Sequence, residues 1–147
     1  MSQADIDAAE RARREAEEAE RRRQARIREL KGQLSVVDGQ ISHYISVLKK
    51  LTDARTSMNM LKSKLVTNIN TPVITYNLHG ASEWEGSNAL NGVVALANIK
   101  NSRSTYVSDV DKLISDIGNG VDKANSIIQD LHRQRNGILS ELRSLGA

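Results

Sequence analysis

Two runs of apolar residues at steps of three and four constrain this chain more than anything else in it. The first is Ile27, Leu30, Leu34, Val37, Ile41, Tyr44, Leu48 and Leu51, continuing through Ala54, Met58, Leu61 and Leu65. The second is Tyr106, Val110, Leu113, Ile117, Val121, Ala124, Ile128 and Leu131, then Arg135, Ile138, Leu142 and Leu145, with Leu90, Val93, Val94, Ala97 and Ile99 leading into it. Such spacing, held this long, describes amphipathic helices rather than strands. Between the runs stands the only proline, Pro72, which has no amide proton to donate and pushes Thr71 out of the α region. A helix arriving from the N-terminal side therefore stops near Asn70. Ser82 with Glu85 fits a capping box, so the second helix opens at Ser82 or, with Trp84 and Gly86 still in the loop, at Ser87.

The fold these signals predict is all-α: a long antiparallel helical hairpin, a two-helix coiled coil, with a charged N-terminal helical extension. The extension covers residues 1–31, the first hairpin helix 27–69, the bend 70–86 and the second helix 87–147. A bend centred near Asn77 sets His43 opposite about Lys112 and brings the end of the second helix beside the Arg-rich N-terminal third. Gly32 and Gly39 each weaken the first helix by about 1 kcal/mol relative to alanine. Gly118 and Gly120, flanking Asn119, leave a continuous second helix and a kink both open. Val73, Ile74, Tyr76, Leu78 and Trp84 make the bend apolar, consistent with side chains that fold back over the tip or with an exposed patch.

Composition narrows the function classes. Phenylalanine is absent and aromatics are 3% of 147 residues, too few for a thick globular core. Without cysteine there is neither a disulfide framework nor a thiolate site. No apolar run approaches the roughly 20 residues of a membrane span, and the N-terminus lacks the pattern of a general secretory signal. A formal net charge of +3 does not by itself point to nucleic acid. Residues 1–31 are nearly all Ala, Glu and Arg, with Glu10 and Arg14, Glu17 and Arg21, and Glu18 and Arg22 placed to pair along a helix for about 0.2 to 0.5 kcal/mol each. Ala9, Ala12, Ala16 and Ala19 form a thin stripe on it. Arg21, Arg22 and Arg23, with Arg26 and Arg28 nearby, make the one basic cluster, but interleaved acids argue for a solvated face over a nucleic-acid or membrane surface.

Chemistry is hard to place on this scaffold. The histidines are His43, His79 and His132, and the register above keeps His43 and His132 apart. No phosphate loop, nucleophile elbow or dinucleotide fingerprint occurs. Neither an enzyme nor a cofactor is expected. The informative feature is instead that the stripes double: Val36 with Val37, Val47 with Leu48, Leu113 with Ile114, Ile127 with Ile128, and Ile138 with Leu139. A lone pair of helices hides about two positions in seven, whereas doublets widen the stripe toward the three in seven of a larger bundle. These ten residues are the expected interface to a helical partner.

A Trp-x-Gly at the bend between two long amphipathic helices resembles the WXG superfamily of type VII (ESX-like) secretion proteins, and in particular its YwqH-like branch from Gram-positive bacteria. The resemblance rests on Lys62 to Leu65, on GASEWEGSNAL (Gly80 to Leu90) and on TYVSDVDKLISDI (Thr105 to Ile117), and spans roughly Gln33 to Leu145. It implies a targeting partner or chaperone, cytoplasmic before export, that binds the helical N-terminal domain of an LXG-type toxin. It leaves room for a second small helical partner, and places Trp84 and Gly86 at the tip that engages the secretion machinery. Two departures stand out. The family's Tyr-x-x-x-Asp or Glu export signal is absent, since Tyr106 is followed by Asp109 and Asp111, and the charged extension has no counterpart. The competing expectation is a structural coiled-coil protein that self-assembles through the same stripes.

Overall fold

A computed structural model describes residues 2–70 and 86–147 of the chain. It is an all-α helical hairpin in which two long helices pack against each other: α1, Gln3–Leu65, and α2, Gly86–Ser144, with no strand among the described residues. A π-helical turn, Val66–Asn70, follows α1, and Thr67 and Asn68 in it are residue types that offer the backbone competing hydrogen bonds. Trp84, the Ser82 and Glu85 pair, and Val73, Ile74, Tyr76 and Leu78 lie outside the described residues, while Gly86 is the first described residue of α2. The second helix runs through Gly118, Asn119 and Gly120 without a break.

The hairpin divides into two compact units, residues 1–46 with 125–147 and residues 47–124. In the first, Ser2 caps α1: its Oγ accepts from the Asp5 amide at 3.2 Å, and its own amide donates to the Asp5 carboxylate at 3.1 Å, a capping box. Every residue from Ser2 to Arg22 is exposed, so packing against α2 begins at Arg23. From there the buried positions keep steps of three and four. Ile27, Leu30 and Leu142 form one cluster, with Leu34, Ile138 and Leu145 packed on it. Val37, Ile41 and Leu131 form the next, with Tyr44, Ile127 and Ile138 against it. Because Val37 and Ile41 share a buried cluster with Leu131, and Arg135 bonds to Asp38, the segment opposite His43 is the one around 127–131, not Lys112 as a bend at Asn77 would require. Contacts along the seam, the polar pairs included, and not the midpoint of the loop, set this register.

The end of α2 is closed locally. Gly146 adopts φ 75°, and the Ala147 and Gly146 amides donate to the carbonyls of Leu142 and Arg143, each at 3.0 Å, as in a Schellman turn. Only glycine enters that conformation without strain. Arg23 Nε then donates to the Leu145 carbonyl at 2.8 Å and ties this end to α1.

In the unit of residues 47–124, Val121 and Ala124 are buried, and Gly120 lies against Leu51, where a methyl group would stand 3.5 Å from Cδ1. The inward positions of α2 here are Val107, Val110, Ile114 and Ile117, all half-buried. This corrects the phase read from the sequence: Tyr106 and Leu113, expected on the core stripe, are 60% and 47% exposed. On α1 likewise Leu61 is exposed, and Lys62 takes the inward place and bridges to Asp111 at 2.5 Å. The Leu113 and Ile114 doublet offered two phases, and the member continuous with Val121 and Ala124, Ile114, is the one turned inward.

Two stability measurements check this packing. Leu30, only 1% exposed, should lose roughly 2 to 5 kcal/mol on Leu30→Ala in urea unfolding, whereas Val36→Ala, at an exposed site, should cost less than about 0.5 kcal/mol. Gly118→Ala meets no atom within 4 Å and should stabilise the helix by about 1 kcal/mol; a loss there would mean the glycine is needed for a bend.

Candidate protein-docking surface

Two of the five doublets separate into an inner and an outer member. Val37 is buried at 6% while Val36 beside it is 61% exposed. Leu113 is exposed and Ile114 half-buried; Val47, Leu48, Ile127, Ile128, Ile138 and Leu139 are all half-buried. Ile127 and Ile138 belong to the hairpin's own seam, since both pack against its buried clusters. The residues free to meet a partner are the outer members, above all Val36 and Leu113. Trp84 is outside the described residues.

Apolar exposure is dense in the unit of residues 47–124, where Met60, Leu61, Leu90, Val94, Ile99, Tyr106 and Leu113 face solvent. Four of them share one side. A hollow of about 360 Å³ is walled by Met58, Leu61 and Leu65 of α1 and by Tyr106 and Val110 of α2. A second, shallower one adjoins it through Leu65 and Tyr106 and reaches Ile99 and Arg103. Leu113 follows two turns after Tyr106, so Ile99, Tyr106 and Leu113 recur every seven residues along α2. That spacing was legible in the sequence but was absorbed into the core stripe. Arg103 and Lys64, which border these hollows, gave no comparable signal.

Charge at the hollows is one-sided. Lys62 and Lys64 line the first and Arg103 the second, and no carboxylate among the described residues lines either. Lys62 is matched by Asp111. Arg103 Nη2 donates to the Lys100 carbonyl at 3.5 Å, but its Nε is buried with no acceptor.

In the other unit, the polar contacts across the seam serve the hairpin itself. Arg26 forks onto Glu141 with bonds of 2.7 and 3.0 Å and also reaches Glu29 at 3.0 Å, and Arg135 Nε donates to Asp38 at 2.7 Å. The Arg26 guanidinium holds the Glu141 carboxyl below the usual carboxylate range, and Glu141 and Glu29 raise Arg26 in turn. Arg21 and Arg22 of the basic cluster remain exposed, Arg22 pairing with Glu18 at 3.4 Å, and Arg23 is committed to the end of α2. Glu17 pairs with Arg13 at 3.9 Å rather than with Arg21.

No group of histidine, cysteine or carboxylate residues suited to a metal occurs among the described residues, and none of their helices is long and apolar enough to cross a membrane. No protein-family model, curated protein or solved structure matches the chain.

The Glu141 carboxyl, depressed by Arg26, contributes stability above its unfolded pKa that is lost as pH falls through its lowered folded value. Thermal melts at descending pH should therefore show wild type losing stability in acid. Glu141→Gln should begin lower at pH 7 and decline less, and the gap should narrow in high salt because both partners are about 40% exposed. Parallel pH curves for the two proteins would remove the ion pair from this role.

Proposed function

We propose that this protein is a non-catalytic helical partner that completes a bundle with a longer client and accompanies it to export. The observation that carries the reading is the apolar side of residues 47–124, where Leu61, Ile99, Tyr106 and Leu113 stay exposed after the two helices have packed. At about 25 cal/mol per Å² of apolar surface, leaving a few hundred Å² wet forgoes several kcal/mol, comparable with the whole stability of a small domain. A client helix laid along that side recovers it. The resemblance of Gly80 to Leu90 and of Thr105 to Ile117 to the YwqH-like proteins supports the finer statement: the client is the helical N-terminal domain of an LXG-type toxin, and the route is a type VII secretion system. On this reading the chain resides in the cytoplasm until export. Trp84 and Gly86 present the tip to the machinery, and a second small helical protein can share the client.

Co-expression with the product of the neighbouring gene, followed by affinity capture, tests this directly. A helical client should co-purify with the wild-type chain and be lost with Leu113→Glu, an exposed substitution that leaves the circular dichroism and melting temperature of the hairpin alone unchanged. Ile127→Glu is the wrong probe, since Ile127 packs against the hairpin's own buried cluster and its loss would unfold the protein. A chain that remains a folded monomer beside every helical neighbour would overturn the reading. A homo-oligomer held by the same side chains would replace it with the self-assembling coiled coil.

A further inference from the structure

We propose that the face built from Leu61 and Leu65 of α1 and from Ile99, Tyr106 and Leu113 of α2 docks one amphipathic helix of another protein, bearing apolar residues at heptad spacing flanked by carboxylates. This rests on the partner reading above and adds where the partner sits and what it must carry.

The shape of the occupant follows from the repeat. Ile99, Tyr106 and Leu113 are each two turns apart, about 10.5 Å at 1.5 Å per residue, and all are exposed. An extended strand places successive side chains of one face about 6.6 Å apart and falls out of step with them. A second helix has the same rise and stays in step, its knobs entering the hollow between Leu61 and Tyr106.

The charge of the occupant follows from the lining. Lys64 and Arg103 border the hollows, Asp111 serves Lys62 alone, and no carboxylate among the described residues lines either hollow. Arg103 Nε lacks an acceptor although it is buried, and a buried donor left unmatched is costly. A carboxylate from an incoming helix, met by a small rotation of the Arg103 side chain, supplies the acceptor and screens Lys64. A second copy docking face to face with the two-fold axis through the hollows would instead set Lys64 and Arg103 against the same cations of its mate, a repulsive arrangement. Charge complementarity therefore favours a different chain over self-association.

The experiment uses the full-length chain and two synthetic 28-residue helical peptides with leucine at the a and d positions, one with glutamate at e and g, the other with lysine there. Fluorescence anisotropy should show the glutamate peptide binding at least tenfold more tightly than the lysine peptide. Tyr106→Glu and Leu61→Glu, both at exposed sites, should abolish binding with the melt unchanged. Arg103→Gln should weaken the glutamate peptide about tenfold, the worth of one charge-assisted hydrogen bond. Val36→Glu and Arg21→Gln, an exposed apolar residue and an exposed cation outside residues 47–124, should have no effect. Equal affinity for the two peptides, no binding of either, or equal loss in the Val36 variant would overturn the proposal, as would a dimer that Tyr106→Glu converts to monomer. A co-expressed client whose capture survives Tyr106→Glu and Leu61→Glu would sink this site while leaving the partner reading intact. Absence of any client would sink that reading instead.

Discussion

Two helices in contact touch along one line, and everything else in this protein depends on that limit. Only side chains pointing straight at the other helix leave water, about two in seven, and each is covered from one side alone. Hence the fully enclosed list is short: Ile27, Leu30, Val37, Ile41, Leu131 and Leu142 in one unit, Val121 and Ala124 in the other. Leu30 comes closest to the burial of a globular core. The chain nevertheless supplies apolar residues at a density suited to more than two helices. Its exposed isoleucine, leucine and tyrosine are thus a property of the architecture meeting that surplus, not of local misfit.

Polar contacts do a different job from the apolar seam. A heptad stripe is nearly indifferent to a slip of seven residues, because leucine would meet leucine again. In the unit of residues 1–46 and 125–147 such a slip would separate Arg26 from Glu141 and Arg135 from Asp38, and take Arg23 from the Leu145 carbonyl. Each of these groups is partly exposed, so each adds little net stability. Their geometry is directional, however, and a bidentate guanidinium accepts few alternatives. Apolar burial holds the helices together, and these pairs choose the register.

Helicity and the two-arm architecture were legible in the sequence because a sustained step of three and four has no competing interpretation. Phase and register were less so. Adjacent doublets such as Leu113 and Ile114 satisfy either of two stripes equally well, and only the partner helix decides between them. A charged side chain such as Lys62 gives no signal of an inward place, yet Lys62 lines the hollow while its ammonium reaches Asp111. The register could not follow from the position of Pro72, since it is fixed by contacts far along both helices. The exposed side of residues 47–124 is obscured for the same reason: the stripe that runs through Tyr106 takes it inward, whereas Leu113 sits both on that stripe and in a doublet.

The charged extension shows that exposure alone does not call for a partner. Ala9, Ala12, Ala16 and Ala19 stand eighteen residues, five turns, before Ile27, Leu30, Leu34 and Val37, and so lie on the same face of α1 that α2 covers further along. They are exposed nonetheless. An alanine offers a single methyl group, worth about 0.8 kcal/mol when buried, against roughly 1.5 to 3 kcal/mol for a leucine or isoleucine. Leaving that face wet costs little. Its helix is already nucleated by the packed turns after Arg23, capped by Ser2 and Asp5, and supported by Glu10 with Arg14 and Glu18 with Arg22. At Leu61, Ile99, Tyr106 and Leu113 full exposure would forgo roughly two to four times as much per residue. On the proposed reading a covering helix would therefore recover most on residues 47–124, where large exposed side chains and unmatched cations coincide.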